Sequence, residues 1–356
     1  MKLTWKKFRL RFASAFGTGR ANLGQRDGFV LRLQTEGGVV GYGEASPLPE
    51  FGGGTVEDVE SLLREWQPKL VGCSPEEGLV GLAVNGPGSA AFLNGLDTAL
   101  CDIMAQTKGK QLAAWLASGS IAQSVPVNAT IGAPDNAVAA QLAKKAVADG
   151  FECIKLKVGM AQTVAGELER VAAVRAAIGH EARLRLDPNG AWTVAQAIAT
   201  LRELEGFNLE LIEQPVAAEN LAGLAQVRNE TSILIAADEA VTGIAAAKAV
   251  IEAGAADILV IKPMIVGGLR NGRKLIEMAQ AAGLGVFVTT TIDSGIGIAA
   301  ALHLAATLPE PGLACGLATA SLLEATLVQQ LPLVQSGRMY LPSQPGLGVT
   351  LNFAAL

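Results

Sequence analysis

From residue 125 onward the chain repeats one pattern: a short β-branched or aliphatic run ending in a polar side chain, then an alanine-rich stretch with apolar residues three and four apart. The runs occupy residues 125–131, 153–158, 184–189, 209–215, 233–239, 257–263, 285–291 and 313–317. Such runs fit parallel strands buried on both faces, each delivering a side chain to one rim of a sheet. The stretches 134–149, 163–178, 193–205, 219–229, 244–253, 270–282 and 294–307 predict helices that often stop near glycine. Thirty residues separate Lys157 from Asp187, and 26, 25 and 24 then lead to Glu213, Asp238 and Lys262. A strand, a returning helix and two loops need about that length. Eight units predict a closed (β/α)8-type barrel with its site where the strand C-termini converge. A doubly wound open sheet is the alternative, but no phosphate-binding glycine fingerprint follows any run.

The first 120 residues break this beat. Residues 1–12 and 28–44 alternate like antiparallel strands, with Glu36-Gly-Gly38 as a hairpin turn. Thr55 is an expected helix N-cap with Asp58 three residues on, and 90–106 carries a helical period. The division predicted is a small α+β domain over 1–120, a barrel over 121–330 and a segment 331–356 that returns to pack on the first domain. The glycine-rich polar loops 14–26 and 46–54 suit closure over a neighbouring site.

Length and composition agree with two domains. A chain of 356 residues is too long for a barrel alone and suits one of roughly 200 to 250 residues plus a smaller domain. Its apolar runs fall short of a membrane span, and its amino terminus alternates where a signal peptide would be uniformly apolar. A cytoplasmic enzyme is expected. A net charge of −5 without a basic cluster argues against a nucleic-acid partner. The four cysteines lie far apart and read as buried hydrophobes in a reducing compartment.

The chemistry lies at the strand ends. Lys155 and Lys157, at i and i+2, share one strand face, and helices on either side in sequence make that strand interior, where the pair alone would read as a solvated edge. Two close ammonium groups lower each other's pKa, and an ordinary value near 10.4 must fall to about 7 to 8 for a usable general base. Asp187, Glu213 and Asp238 come singly from three consecutive strands, so they share a rim and call for a cation; capping a helix or pairing with arginine is the alternative for each. Hard oxygen ligands without nearby histidine or cysteine specify Mg2+. Asn189, Gln214 and Glu239 sit beside these ligands and are expected to orient them or the lysines. Lys262 ends the next strand and alone could be a Schiff-base nucleophile or a solvated strand end. The two histidines, His180 and His303, have no catalytic spacing and read as structural. Mg2+ with lysines on opposite sides of a substrate suits proton abstraction beside a carboxylate. A metal-free Schiff-base aldolase and a non-catalytic barrel remain alternatives from other classes.

These residues resemble the enolase superfamily, within it the muconate lactonizing enzyme-like subgroup. The resemblance spans almost the whole chain: Gly43-Glu-Ala45 and Gly95-Leu-Asp-Thr-Ala99, then Lys155-Leu-Lys157, Asp187-Pro-Asn189, Glu213-Gln-Pro215, Asp238-Glu239, Ile261-Lys-Pro263 and Gly267-Gly268. It implies an α/β fold, a modified (β/α)7β TIM-type barrel with an N-terminal α+β capping domain. Asp187, Glu213 and Asp238 would hold Mg2+, and Lys157 and Lys262 would flank the substrate. Residues 289–297 look like the serine-rich strand and loop of o-succinylbenzoate synthases, and 315–319 like their following strand. That likeness implies Mg2+-dependent syn-dehydration of 2-succinyl-6-hydroxy-2,4-cyclohexadiene-1-carboxylate through an enediolate, in menaquinone or phylloquinone synthesis. Lys157 would take the α-proton, Lys262 would sit as a cation over the ring, and Thr290 and Thr291 would bind the carboxylate tail. Threonines stand where serines are usual, and Asp293 where glutamate is usual. N-succinylamino acid racemases and dipeptide epimerases share the catalytic residues. The epimerases usually carry an aspartate pair after the last strand, where this chain has Gly316-Leu-Ala-Thr-Ala320. The expected partner is a small-molecule carboxylate, and a homo-oligomer is compatible with the sequence.

Overall fold

The alternating amino terminus forms an antiparallel sheet of β1 (Lys2–Gly17), β2 (Asn22–Gln34) and β3 (Val40–Ala45), in that order. In the computed structural model, residues 1–17, 22–49, 53–161, 163–309, 312–352 and 354 are described. Leu3, Phe8 and Leu10 are buried while Lys7, Arg9 and Arg11 are exposed, as a strand with one covered face requires. The loop expected over 14–26 is shorter than that. β1 and β2 run into it, Phe16 pairing with Leu23 beyond a register shift, and its centre and that of loop 46–54 lie outside the described residues.

Helices α1 (Val56–Trp66), α2 (Pro75–Val80), α3 (Ser89–Thr107) and α4 (Leu112–Leu116) follow. Thr55 closes a capping box: its hydroxyl accepts from Asp58 N at 3.1 Å, and the Asp58 carboxylate accepts from Thr55 N at 2.8 Å. Helix α3 lies directly on β3 because glycines allow it. A Cβ on Gly43 would sit 1.9 Å from the Gly95 carbonyl oxygen. Buried Phe92, Leu96 and Leu100 fill the space behind it, each fully buried side chain contributing about 1.5–3 kcal/mol.

Then β4 (Ser124–Pro126), β5 (Ala129–Ile131), α5 (Asn136–Ala148), β6 (Cys153–Lys157), α6 (Val164–Ile178), β7 (Arg183–Asp187), α7 (Val194–Leu204), β8 (Leu209–Glu213), α8 (Leu221–Asn229) and β9 (Ile235–Ala237) alternate. They continue as α9 (Ile244–Glu252), β10 (Ile258–Ile261), α10 (Pro263–Val266), α11 (Leu269–Ala281), β11 (Gly285–Val288) and α12 (Gly295–Ala305). Strands β5 to β11 form one parallel sheet in sequence order. The last expected run joins its two edges through bridges, not a full strand: Cys315 pairs with Val127 and Gly316 with Thr289. Cys315 N donates to Pro126 O at 2.8 Å and Gly316 N to Val288 O at 3.0 Å. The first expected run is divided, its β4 portion pairing with β13 of a hairpin, β12 (Val334–Gln335) and β13 (Arg338–Tyr340). Beyond the hairpin, Leu347 N donates to Asp102 of α3 at 2.9 Å.

Helix α12 is buried along its whole length and packs against β3 and α4. Its His303 is fixed as one neutral tautomer, Nδ1 accepting from Ala113 N and Nε2 donating to Leu347 O, each at 3.1 Å. Among the described residues no helix is long and apolar enough to cross a membrane.

Candidate active site

Period-two geometry turns Cys153, Lys155 and Lys157 of β6, and Arg185 and Asp187 of β7, toward the barrel interior. The parallel register sets Lys155 beside Arg185 and Lys157 beside Asp187. Lys155 Nζ lies 2.5 Å from Glu213 and 2.7 Å from Asp187, and Lys157 Nζ lies 2.5 Å from Asp187 and 2.8 Å from Asn189 Oδ1. Lys262, just after β10, lies 2.5 Å from Asp238. Asp187, Glu213 and Asp238 each offer a carboxylate oxygen, all within 4.8 Å of one another, and all three residues are buried. The pairing partners of the carboxylates are therefore lysines, not the arginines considered as an alternative.

This geometry corrects one expectation. Burial pushes the Lys155 ammonium down, but Asp187, Glu213 and Asp238 outweigh it and hold the group above its ordinary value. Burial likewise opposes the charge on Lys262, and Asp238, Glu239 and Glu213 raise it on balance. Carboxylates in direct contact act more strongly here than mutual lysine repulsion. Burial disfavours charge on Asp187, yet Lys155 and Lys157 bring its pKa below the usual carboxylate range. Glu213 goes the other way, pushed up to about 8 by burial and by Asp187 and Asp238 against the opposing lysines. Among the described residues its Oε2 is buried without a hydrogen-bond partner. Three converging carboxylates, one of them driven toward neutrality and carrying an orphan oxygen, fit a hard divalent cation.

The flanking residues have left-handed backbone where side-chain-bearing residues rarely go: Asn189 at φ 50° and Gln214 at φ 42°. Asn189 N donates to Asp187 at 2.9 Å, and its side-chain amide donates to Glu239 at 2.9 Å. Asn189 thus links Lys157, Asp187 and Glu239. Gln214 Oε1 accepts from Asp238 N at 3.0 Å and Ala240 N at 3.2 Å, fixing the next strand end. Below the lysines Arg185, fully buried, pairs with Glu210, donates to Ala314 O at 2.6 Å and stacks on Phe287 with its guanidinium carbon 4.8 Å from the ring centre.

On the opposite side, Thr290 and Thr291 are buried. Thr290 Oγ1 lies 2.9 Å from Thr319 Oγ1, while the Thr291 hydroxyl donates to Asp293 and accepts from Arg26. Between Thr291 and Asp293, Ile292, a β-branched residue, sits at φ 61°, a strained conformation at the rim. Arg26 of β2 holds it, donating to Ile292 O at 3.3 Å and Ser46 O at 2.7 Å. Glu44 of β3 accepts from Ser294 Oγ at 2.5 Å, Gly297 N at 2.9 Å and Ser294 N at 3.1 Å, covering the start of α12. Sequence reasoning gave Arg26 only as the end of a loop, and Glu44 and Thr319 only as parts of motifs. Their partners across the fold leave no local pattern.

Residues 137–355 match the family model described as enolase C-terminal domain-like, and residues 3–103 match the MenC N-terminal domain. A hydrophobic dipeptide epimerase of Enterococcus faecalis is 30% identical over 356 residues, covering 97% of this chain and 96% of the relative. The o-succinylbenzoate synthase of Thermobifida fusca is 41% identical over 206 residues, 58% of this chain and 62% of the relative. A crystal structure of a dipeptide epimerase from Enterococcus faecalis, complexed with Mg and the dipeptide L-Leu-L-Tyr, superimposes with a TM-score of 0.91 at 27% identity, covering 98% of this chain and 99% of that one.

Proposed function

The chain belongs to the enolase superfamily, in its muconate lactonizing enzyme-like subgroup, and we propose that within it the protein is an o-succinylbenzoate synthase, a carbon-oxygen lyase. The observation that carries this reading is the match of its capping sheet and helices to the MenC N-terminal domain, because the lysines and carboxylates alone suit several reactions. The greater identity to a synthase than to the epimerase supports it, over a shorter span.

Asp187, Glu213 and Asp238 would hold Mg2+. When bound, the ion would take up their negative charge and place positive charge beside a substrate carboxylate, making the adjacent C–H more acidic. Lys157 Nζ, on the wall of β6, would then accept the α-proton in its neutral form. The C–H electron pair forms the new ring double bond, the C–O bond breaks, and the departing hydroxide takes the proton from Lys157 and leaves as water. Lys262 would remain an ammonium on the other side, balancing charge that develops on the ring. Lys155, paired with both Asp187 and Glu213, would position those two carboxylates, and Asn189, itself held by Glu239, would orient Lys157. Thr290 would receive the succinyl carboxylate together with Thr319. Thr291, engaged with Asp293 and Arg26, would hold the loop that shapes that end.

The second reading is epimerisation of an amino-acid derivative, favoured by the near full-length likeness to the dipeptide epimerase. Here Lys157 and Lys262 would exchange a proton on opposite faces of one α-carbon. Side-by-side assays in heavy water separate the two. We expect kcat/KM for dehydration to exceed that for α-hydrogen exchange of dipeptides and N-succinylamino acids by at least about tenfold, roughly 1.4 kcal/mol of transition-state preference. Faster exchange than dehydration would establish the second reading.

A further inference from the structure

Two motifs of the chain, Gly95-Leu-Asp97 and Gly267-Gly268, meet although some 170 residues separate them. Asp97 of α3 is buried, and its carboxylate accepts from Arg270 N at 3.1 Å and pairs with the Arg270 guanidinium. A Cβ on Gly268, whose φ is 110°, would lie 2.6 Å from Asp97 Oδ2, so the close approach needs glycine. The side chain of one domain therefore serves as the N-terminal cap of α11 in the other, where α11 has no side-chain cap of its own.

The cap fixes the segment that carries Lys262. Ile265 N and Val266 N donate to Lys262 O at 2.9 and 3.0 Å, and Gly268 N donates to Pro263 O at 2.9 Å. The short α10 turn is thereby closed between Lys262 and Gly268. Its Met264 sulfur accepts from Ser46 N at 3.4 Å and from Asn94 at 3.6 Å, both on the capping side. Among the described residues Lys262 has one ion-pair partner, Asp238, whereas Lys155 is held by two carboxylates and Lys157 by Asp187 and Asn189. Its placement depends correspondingly more on its backbone.

We propose that Asp97 is a positioning residue for Lys262, setting its ammonium against the substrate through the Arg270–Gly268–α10 turn. The kinetic consequence rests on the role given to Lys262 above; the placement itself does not. Displacement of a reacting group by about 1 Å can cost 10²-fold in rate. Asp97→Ala should therefore lower kcat about 10²-fold with KM changed less than about threefold, and leave Mg2+ affinity intact.

Placement is tested without turnover by reductive methylation of the metal-free protein, following Lys262 and Lys157 separately by peptide mass spectrometry. Asp97→Ala should raise the Lys262-to-Lys157 labelling ratio several-fold. Asp97→Asn is isosteric and can satisfy only one of the two Arg270 donors, so it should raise the same ratio by a smaller factor even if the alanine variant folds poorly. A ratio unchanged in Asp97→Asn, or both lysines rising together, would overturn the proposal. If the ratio moves but no candidate substrate is turned over by the wild type, the placement stands and the functional reading falls.

Discussion

The two sides of the barrel mouth are held by different means. Along β6 to β9 the polar strand ends brace one another, Lys155 and Lys157 against Asp187 and Glu213, Asn189 against Lys157 and Glu239, Gln214 against the backbone of Asp238. Along β10 and β11 the bracing comes from the capping domain, Asp97 on α11, Glu44 on α12 and Arg26 on the Thr291–Asp293 turn. The first side is a charge cluster closed on itself, and the second is a seam. The Lys262–Asp238 ion pair joins the two sides, and a change remote from it on one side should leave the other largely intact, because distant sites without shared partners act independently.

The largest effect is expected from breaking the self-braced side. Glu213→Gln should lower Mg2+ affinity by more than the 10–100-fold typical of residues that merely support ligands, and abolish turnover. The metal-free protein should unfold in urea no more easily than wild type, since one of three crowded carboxylates is gone. Calorimetric metal titration and urea unfolding measure the two. Native Mg2+ affinity in this variant would remove Glu213 from the ligand set.

Glu44→Ala attacks the seam. It leaves the Ser294 and Gly297 amides without their acceptor, and unfolding free energy should fall by about 2–4 kcal/mol. Mg2+ affinity should stay within about threefold of wild type. A parallel loss of metal affinity would erase the division between the two sides.

A smaller, pH-dependent effect belongs to His303, which links α12 to α4 and the chain's last segment. Burial lowers its pKa to about 4, against a weaker upward pull from the Leu347 carbonyl. In the unfolded chain the value is near 6.5. Between these values the unfolded state binds the extra proton, so this contribution is complete above about pH 6.5 and is lost as pH falls toward 4. Moving from pH 7.5 to 5.5 should cost about 1 kcal/mol in wild type relative to His303→Gln, measured by urea unfolding at each pH. Parallel pH profiles for the two proteins would contradict the buried neutral tautomer.

The same contrast marks what the sequence made legible. Lys157, Asp187, Glu213, Asp238 and Lys262 were readable because each ends a strand one βα unit from the next, and regular spacing on parallel strands becomes adjacency on a rim. Thr55 with Asp58 was readable because a capping box is local. The pairings Asp97–Arg270 and Glu44–Ser294, 173 and 250 residues apart, follow no period, and only the packing of α3 and β3 on the barrel creates them. The raised pKa of Lys155 was not legible for a related reason: a KxK spacing places two lysines on one strand face, but does not show that carboxylates from β7 and β8 contact Lys155. The eighth strand was legible as a run but forms only bridges to the two edges.

The most direct test is the conversion of 2-succinyl-6-hydroxy-2,4-cyclohexadiene-1-carboxylate to o-succinylbenzoate, followed by ultraviolet absorbance in wild type and Lys157→Ala with Mg2+ titrated from zero. Wild type should turn over only with Mg2+ present. Lys157→Ala should bind the ion normally yet lose turnover by at least the ~10²–10⁴-fold that a general base supplies. Turnover that survives chelation of the metal, or an active Lys157→Ala enzyme, would contradict the assignment of Asp187, Glu213, Asp238 and Lys157.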